Sequence, residues 1–184
     1  MKRDAWIALG VAVAVVLAVV LVVGYLRAPE ATRIKVGMAA PDLELPSVGS
    51  DGVKTKLSNF RGRPVLLVMY MANCHACEED AGALERLHRE YLRKGLIVLG
   101  VAVDADPQTR RDFIRRHETT FIVMEDPGGR AVREAYGSWK MPEAYLIDAT
   151  GVVRGVFLGR TEWRSRDMRE RIDRLLPPPS GSAS

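Results

Sequence analysis

Cysteine and histidine are scarce in this chain: two cysteines and three histidines among 184 residues. A structural zinc centre takes about four Cys, His or carboxylate ligands. Besides carboxylates, only His75, His88 and His117 could join the cysteines, so a zinc role has little support. Aromatic residues make up 7% of the chain, and no basic stripe runs among them. The formal charge of +4 arises from arginines interleaved with acids, as in Asp167/Arg171 and Glu170/Arg174 at i,i+4 spacing. That is the pattern of a solvated helix face, and it excludes a nucleic-acid platform. No segment repeats internally.

One long hydrophobic run is present, from Ala5 to Leu26, 22 residues without a charge. As a helix it would be about 33 Å long, enough to cross a bilayer core of about 30 Å. Trp6 and Tyr25 stand near its ends, where amphipathic aromatics favour the headgroup level. A cleaved signal peptide is the rival reading. Its apolar region runs to about 7–15 residues, and Pro29 directly after Ala28 is a poor start for a mature chain. The expected organisation is therefore a cytoplasmic stub (1–4), a transmembrane anchor (5–26), a linker (27–35), one domain (36–176) and a disordered Pro/Ser/Gly tail (177–184). Lys2 and Arg3 on one side are nearly balanced by Arg27, Arg33 and Lys35 on the other, so charge alone does not orient the anchor. The short stub and large following domain suit a signal anchor that exports the domain.

The two cysteines fall together in Cys74-His75-Ala76-Cys77. The apolar run Val65–Met71 leads into them, and a periodic segment with Ala81, Leu84, Leu87 and Tyr91 leads out. Buried strand, short turn and helix is the order this predicts, with the dithiol at the helix start. Free N–H groups and the positive dipole end there stabilise a thiolate. Cys74 is thus the expected nucleophile, and Cys77 the sheltered partner that closes a disulfide with it or resolves a mixed disulfide. A purely structural disulfide at this spacing closes almost no loop and adds little stability. Two cysteines, both in one redox motif, also suit an oxidising compartment.

Further apolar strands are expected at Leu96–Val103, Phe121–Met124, Ala144–Asp148 and Val152–Leu158, and a short N-terminal hairpin at Leu43–Leu45 with Val53–Leu57. Helices are expected at about Cys77–Lys94, after Asp106-Pro107, at Gly129–Tyr136 and at Glu162–Leu176. Strands alternating with amphipathic helices imply a sheet covered on both faces, and the terminal hairpin makes it mixed.

From Val36 to Leu176 the chain resembles the membrane-anchored, extracytoplasmic thioredoxin-like proteins of bacteria, the TlpA/ResA/CcmG group. The residues that carry the likeness are Val36–Leu43, Leu57–Pro64, the CxxC after a strand, and Tyr136-Gly137 through Met141–Asp148. The resemblance implies an α/β thioredoxin-like fold with an N-terminal β extension. It implies a thiol–disulfide oxidoreductase whose only redox group is the Cys74–Cys77 disulfide, without metal or cofactor. Its substrates would be disulfides of exported proteins, as in cytochrome c maturation or copper-centre assembly. A membrane thiol reductase would supply electrons.

The resemblance also implies roles for particular residues. Asp80 would shuttle the proton of the buried cysteine; alternatively, Glu78, Glu79 and Asp80 are an acidic first turn placed against the helix dipole. Pro142 would be cis and face the CxxC, with Met141 against the disulfide. Glu143 would line the same groove or be an exposed loop acid. Three departures stand out: Asn73 where the family usually has Trp, His75-Ala76 where many members carry a Pro, and Val68 where thioredoxin keeps a buried acid. The first two make Asn73 and His75 the residues expected to tune the redox poise, His75 through an imidazolium charge or as a solvent-facing turn residue without a role. A thiol oxidant or isomerase, a peroxiredoxin-like peroxidase and a Cu(I) carrier built from the two thiols, Met141 and His75 are the competing functions. Against the peroxidase, Met71 stands where a peroxidatic site usually offers Thr.

Overall fold

A computed structural model of the chain describes residues 13–19, 33–50 and 52–177. Residues 13–19 are helical and exposed, inside the expected anchor. The rest of that segment, the 1–4 stub, residues 27–32 and the tail beyond 177 lie outside the described residues. Among the described residues no helix is long and apolar enough to cross a membrane.

The second unit begins at Arg33. Ile34 is buried and packs with Leu43 and Tyr136 in the core. A short antiparallel hairpin follows, β1 (Glu44–Pro46) and β2 (Lys54–Lys56), then a 3-10 turn at Leu57–Phe60. The main elements are β3 (Val65–Tyr70), α1 (His75–Tyr91), β4 (Ile97–Ala102), α2 (Pro107–Arg116), β5 (Ile122–Glu125), α3 (Arg130–Tyr136), β6 (Glu143–Ile147), β7 (Val153–Leu158) and α4 (Arg166–Asp173). The five-stranded sheet runs β5-β4-β3-β6-β7, with β3, β4 and β5 parallel and β6 and β7 antiparallel. This is the mixed sheet expected, and it is the thioredoxin-like arrangement.

Alternation along the strands splits the core in two. Leu66, Val68 and Tyr70 face α1 and α4, meeting Ala81, Leu84, Met168 and Ile172. Val65, Leu67 and Met69 face α3 and the N-terminal extension, meeting Val132, Tyr136 and Leu57. Every residue of β3, β4 and β6 is buried, and each large apolar side chain so placed contributes about 1.5–3 kcal/mol. The central strand is therefore held rigidly from both sides, and whatever leaves its end is placed accurately.

Element ends follow local chemistry. Asp106 caps α2 by accepting from Thr109 N–H at 2.7 Å, with Pro107 at the first helical position. α1 ends through a 3-10 turn, Leu92–Lys94, and Gly95 at φ 106°, a left-handed conformation that glycine adopts without a Cβ clash. The last helix is shorter than expected. It starts at Arg166, because Ser165 caps it by accepting from Met168 N–H (3.1 Å) while Trp163 stays buried in the preceding turn.

Candidate active site

β3 delivers the chain to a three-residue loop, Met71–Asn73, and then to the dithiol. Ala72 N–H donates to both carboxylate oxygens of Asp104, at 3.0 and 2.9 Å, and Asp104 is buried just past the end of β4. Val103 N–H donates to Tyr70 O at 3.0 Å, tying the two strand ends together. The buried Arg110 of α2 donates to the carbonyl of Asp104 and, at 2.6 Å, to Glu125 at the end of β5. The C-terminal edge of the parallel strands is thus cross-linked directly beneath the loop that carries Cys74.

Cys74 is the N-cap of α1, with an extended backbone (φ −121°, ψ 116°). Its Sγ accepts from Cys77 N–H at 3.3 Å, and its carbonyl accepts from Glu78 N–H at 3.0 Å. The sulfur thus stands at the helix N-terminus, where unsatisfied N–H groups favour negative charge. Cys74 and Cys77 are joined as a disulfide, their Cα atoms 5.2 Å apart. Cys74 is half-buried, whereas Cys77 is 3% exposed. Attack from outside can therefore reach only the first sulfur.

Across from Cys74 runs the Met141-Pro142 segment. The peptide bond between the two is cis, and the Met141 carbonyl oxygen lies 3.6 Å from Cys74 Sγ. Pro142 is buried, and its carbonyl accepts from Gly159 N–H at 2.8 Å, which seats the segment on the far end of the sheet.

Beneath Cys77 is a cavity of about 10 Å³, lined by Val68, Cys77, Asp80 and Pro142 among others. Asp80 is 3% exposed. Burial raises its carboxyl above the usual range, and hydrogen bonding toward Trp163 and Thr161 together with the nearby Arg160 charge partly offsets this. Only the Thr161 N–H contact, at 3.3 Å, has hydrogen-bond geometry; Trp163 Nε1 completes no such bond among the described residues. A buried carboxyl with weak partners beside a buried thiol is chemically able to carry that thiol's proton. Val68 lines the same cavity, so the strand position that holds an acid in thioredoxin and the helix position that holds one here open onto the same space.

The other expected site residues fall differently. Asn73 is exposed at the loop tip. The His75 side chain is 91% exposed, with Nε2 3.4 Å from Glu79 Oε1. Glu143, read as a groove or loop acid, is neither. It is the first residue of β6 and 1% exposed, because both faces of that strand are covered; it lies on the face it shares with Tyr145, where it accepts from Ser138 Oγ at 2.7 Å and from the Tyr145 hydroxyl. Arg33 Nη2 stands 3.7 Å from it. Among the described residues no group of three or more His, Cys, Asp or Glu side chains is placed to hold a metal ion.

Comparison with known proteins adds the family. The sequence profile of the AhpC/TSA family matches residues 36–156. The chain belongs to that family. It is 26% identical over 154 residues to the thiol-disulfide oxidoreductase ResA of Bacillus thuringiensis, covering 84% of this chain and 85% of that one. It is 27% identical over 150 residues to the peroxiredoxin Bcp of Bacillus subtilis, covering 78% and 93%. A Chlorobium tepidum protein provisionally named thiol:disulfide interchange protein DsbE superposes with a TM-score of 0.70 at 28% identity, covering 77% of this chain and 98% of that one. Within the AhpC/TSA family, then, the chain is a thioredoxin-like thiol–disulfide oxidoreductase, as its fold, its Cys74–Cys77 disulfide and the ResA likeness agree. Of the residues that build this family member's site, Asp104, Arg110, Thr161 and Trp163 escape a reading of the sequence. Asp104 had one available signal: it follows directly on a fully apolar parallel strand, the end at which α/β sheets place functional groups.

Proposed function

We propose that this chain reduces disulfides in exported proteins, as a membrane-anchored reductase acting outside the cytoplasm. The observation that carries the proposal is the asymmetry of the dithiol: one sulfur accessible at a helix N-terminus, the other buried against Asp80. In the reduced protein, the Cys74 thiolate attacks a substrate disulfide, forming a Cys74–substrate bond and expelling one substrate thiolate, which takes up a proton. Cys77 then passes its proton to Asp80 and attacks Cys74 Sγ. The mixed disulfide breaks, Cys74–Cys77 closes, and the second substrate sulfur leaves as a thiolate protonated in turn. The substrate gains two electrons and two protons: the dithiol supplies both electrons and, from Cys77 through Asp80, one proton, and solvent returns the proton that Cys74 released on ionising. A membrane dithiol reductase restores the Cys74/Cys77 thiols. The ResA likeness and the AhpC/TSA family support the exchange chemistry. The hydrophobic 5–26 segment supports export, and with it substrates such as apocytochrome c or copper-centre assembly proteins.

Two variants test the chemistry. Cys74→Ser should abolish turnover of a disulfide substrate, and Cys77→Ser should accumulate a Cys74-linked mixed disulfide visible on a non-reducing gel. Full activity in both variants would end the proposal. Direction of electron flow is read from the reduction potential of the pair in redox buffers: a value near or below about −220 mV fits a reductase, and one above about −150 mV an oxidant or isomerase.

A second reading has support from the likeness to peroxiredoxin Bcp over 93% of that protein's length. Peroxide consumption by the reduced chain, exceeding its rate of disulfide reduction, would favour a peroxidase over the reductase.

A further inference from the structure

Beside the Met141-Pro142 segment lies a pocket of about 440 Å³ lined by Arg33, Trp139, Lys140, Met141 and Leu158 together with Gly137 and Gly159. Its large apolar groups are unusually open for such residues: Trp139 is 75% exposed and Leu158 is 54% exposed. The rim is cationic. Lys140 is exposed, the Arg33 side chain is 51% exposed, and the Arg133 guanidinium carbon sits 5.7 Å from the centre of the Trp139 ring. Glu143, which follows the Met141-Pro142 segment, is already engaged: 1% exposed, it is matched by Ser138, Tyr145 and Arg33. Positive charge therefore remains at the pocket mouth after that pairing. The opposite side of the disulfide differs. There Glu78 pairs with Arg116 and His117, and Glu79 with His75 and Arg160.

Met141 connects the pocket to the chemistry, since it lines the one and places its carbonyl 3.6 Å from Cys74 Sγ in the other. A polypeptide joined to Cys74 through its own cysteine advances about 3.3–3.6 Å per extended residue. Its neighbours one or two positions away therefore reach this pocket.

From this juxtaposition we infer that the pocket is a specificity subsite for an acidic residue flanking the target cysteine: its carboxylate is held by Lys140, and its aliphatic stem lies on Trp139 and Leu158. The preferred substrate is a polypeptide disulfide with Asp or Glu within two residues of the cysteine. The inference rests on the reductase reading above. Opposite charge across a recognition site sets partner choice and encounter rate more than it sets raw affinity, so its signature is a ratio of rates between substrates.

The test uses the full-length chain, pre-reduced, and three synthetic peptide disulfides that differ only in the residues flanking cysteine: Glu, Gln or Lys. The apparent second-order rate constant for reduction is followed at low and at moderate salt. The expected result is an acidic-over-basic preference of about tenfold at low salt, shrinking as salt rises. Lys140→Gln should reduce the ratio and Lys140→Glu should bring it to unity or invert it. Lys94→Glu, at the other end of α1, should leave it unchanged. Equal rates for the three peptides would overturn the subsite while leaving the reductase reading intact. An equal response to Lys94→Glu would also overturn it, because net charge rather than the pocket would then set the preference. Reduction of none of the peptides would overturn the reductase reading and the subsite with it.

Discussion

Two buried carboxyl groups flank the redox centre, and they are built for opposite ends. Asp80, below Cys77, meets one backbone N–H at 3.3 Å and borders a small cavity. Glu143, behind Pro142, meets two hydroxyl groups and an arginine. An under-satisfied buried acid is costly to keep ionised and is therefore ready to accept or release a proton; a fully partnered one is an anchor whose loss leaves its donors stranded. In the proposed mechanism the same residue class serves reactivity on the helix side and rigidity on the strand side. Asp104 belongs with the anchors, since both its oxygens hold the Ala72 N–H.

Replacing each acid tests that division. Asp80→Asn removes the proton carrier and should slow resolution of the mixed disulfide by about 100-fold, measured by rapid-quench thiol trapping. Its effect on stability should have the opposite sign. Because the carboxyl of Asp80 is raised in the folded protein, the stability it contributes is full below its unfolded value of 3.8 and is lost as pH rises through the folded value. At pH 7 the ionised group is a burden, so the asparagine variant should melt a few degrees higher there, with the gain vanishing toward pH 3. A lower melting temperature at pH 7 would place Asp80 among the anchors. Glu143→Ala strands the Ser138 and Tyr145 hydroxyl groups and should cost about 2 kcal/mol in a denaturant titration. In the fraction that folds, its exchange rate should stay within about threefold of the parent, and a 100-fold loss would make Glu143 part of the chemistry. The smallest change is expected from Asp104→Asn, about 1 kcal/mol, since an amide oxygen still accepts from Ala72; faster hydrogen exchange at Ala72, read by NMR, would accompany it.

Much of this was legible beforehand. Fully apolar runs such as Val65–Met71 and Leu96–Val103 can satisfy both their backbone and their side chains only inside a sheet covered on two faces, and a CxxC after such a run has one plausible setting. A cis Pro142 with Met141 against the disulfide was also expected from the family likeness. What the linear order hid were the partners. Glu143 looks like a loop acid beside a proline, yet it opens a strand that is covered on both faces. His75 looks placed to influence Cys74, yet it projects into solvent beside Glu79. Thr161 stands eighty-one residues from Asp80 and reaches it from the turn between β7 and α4.

By itself, then, the sequence determined the main elements, the order of strand, dithiol and helix, and which sulfur stands at the helix N-cap, because these follow from local periodicity and spacing. Tertiary structure alone decided which carboxyl is left short of partners, what clamps the loop before Cys74, and that Arg33, Trp139 and Lys140 border one pocket beside Met141. Those are contacts between residues far apart in the chain, and burial and charge pairing are properties of such contacts rather than of any single residue.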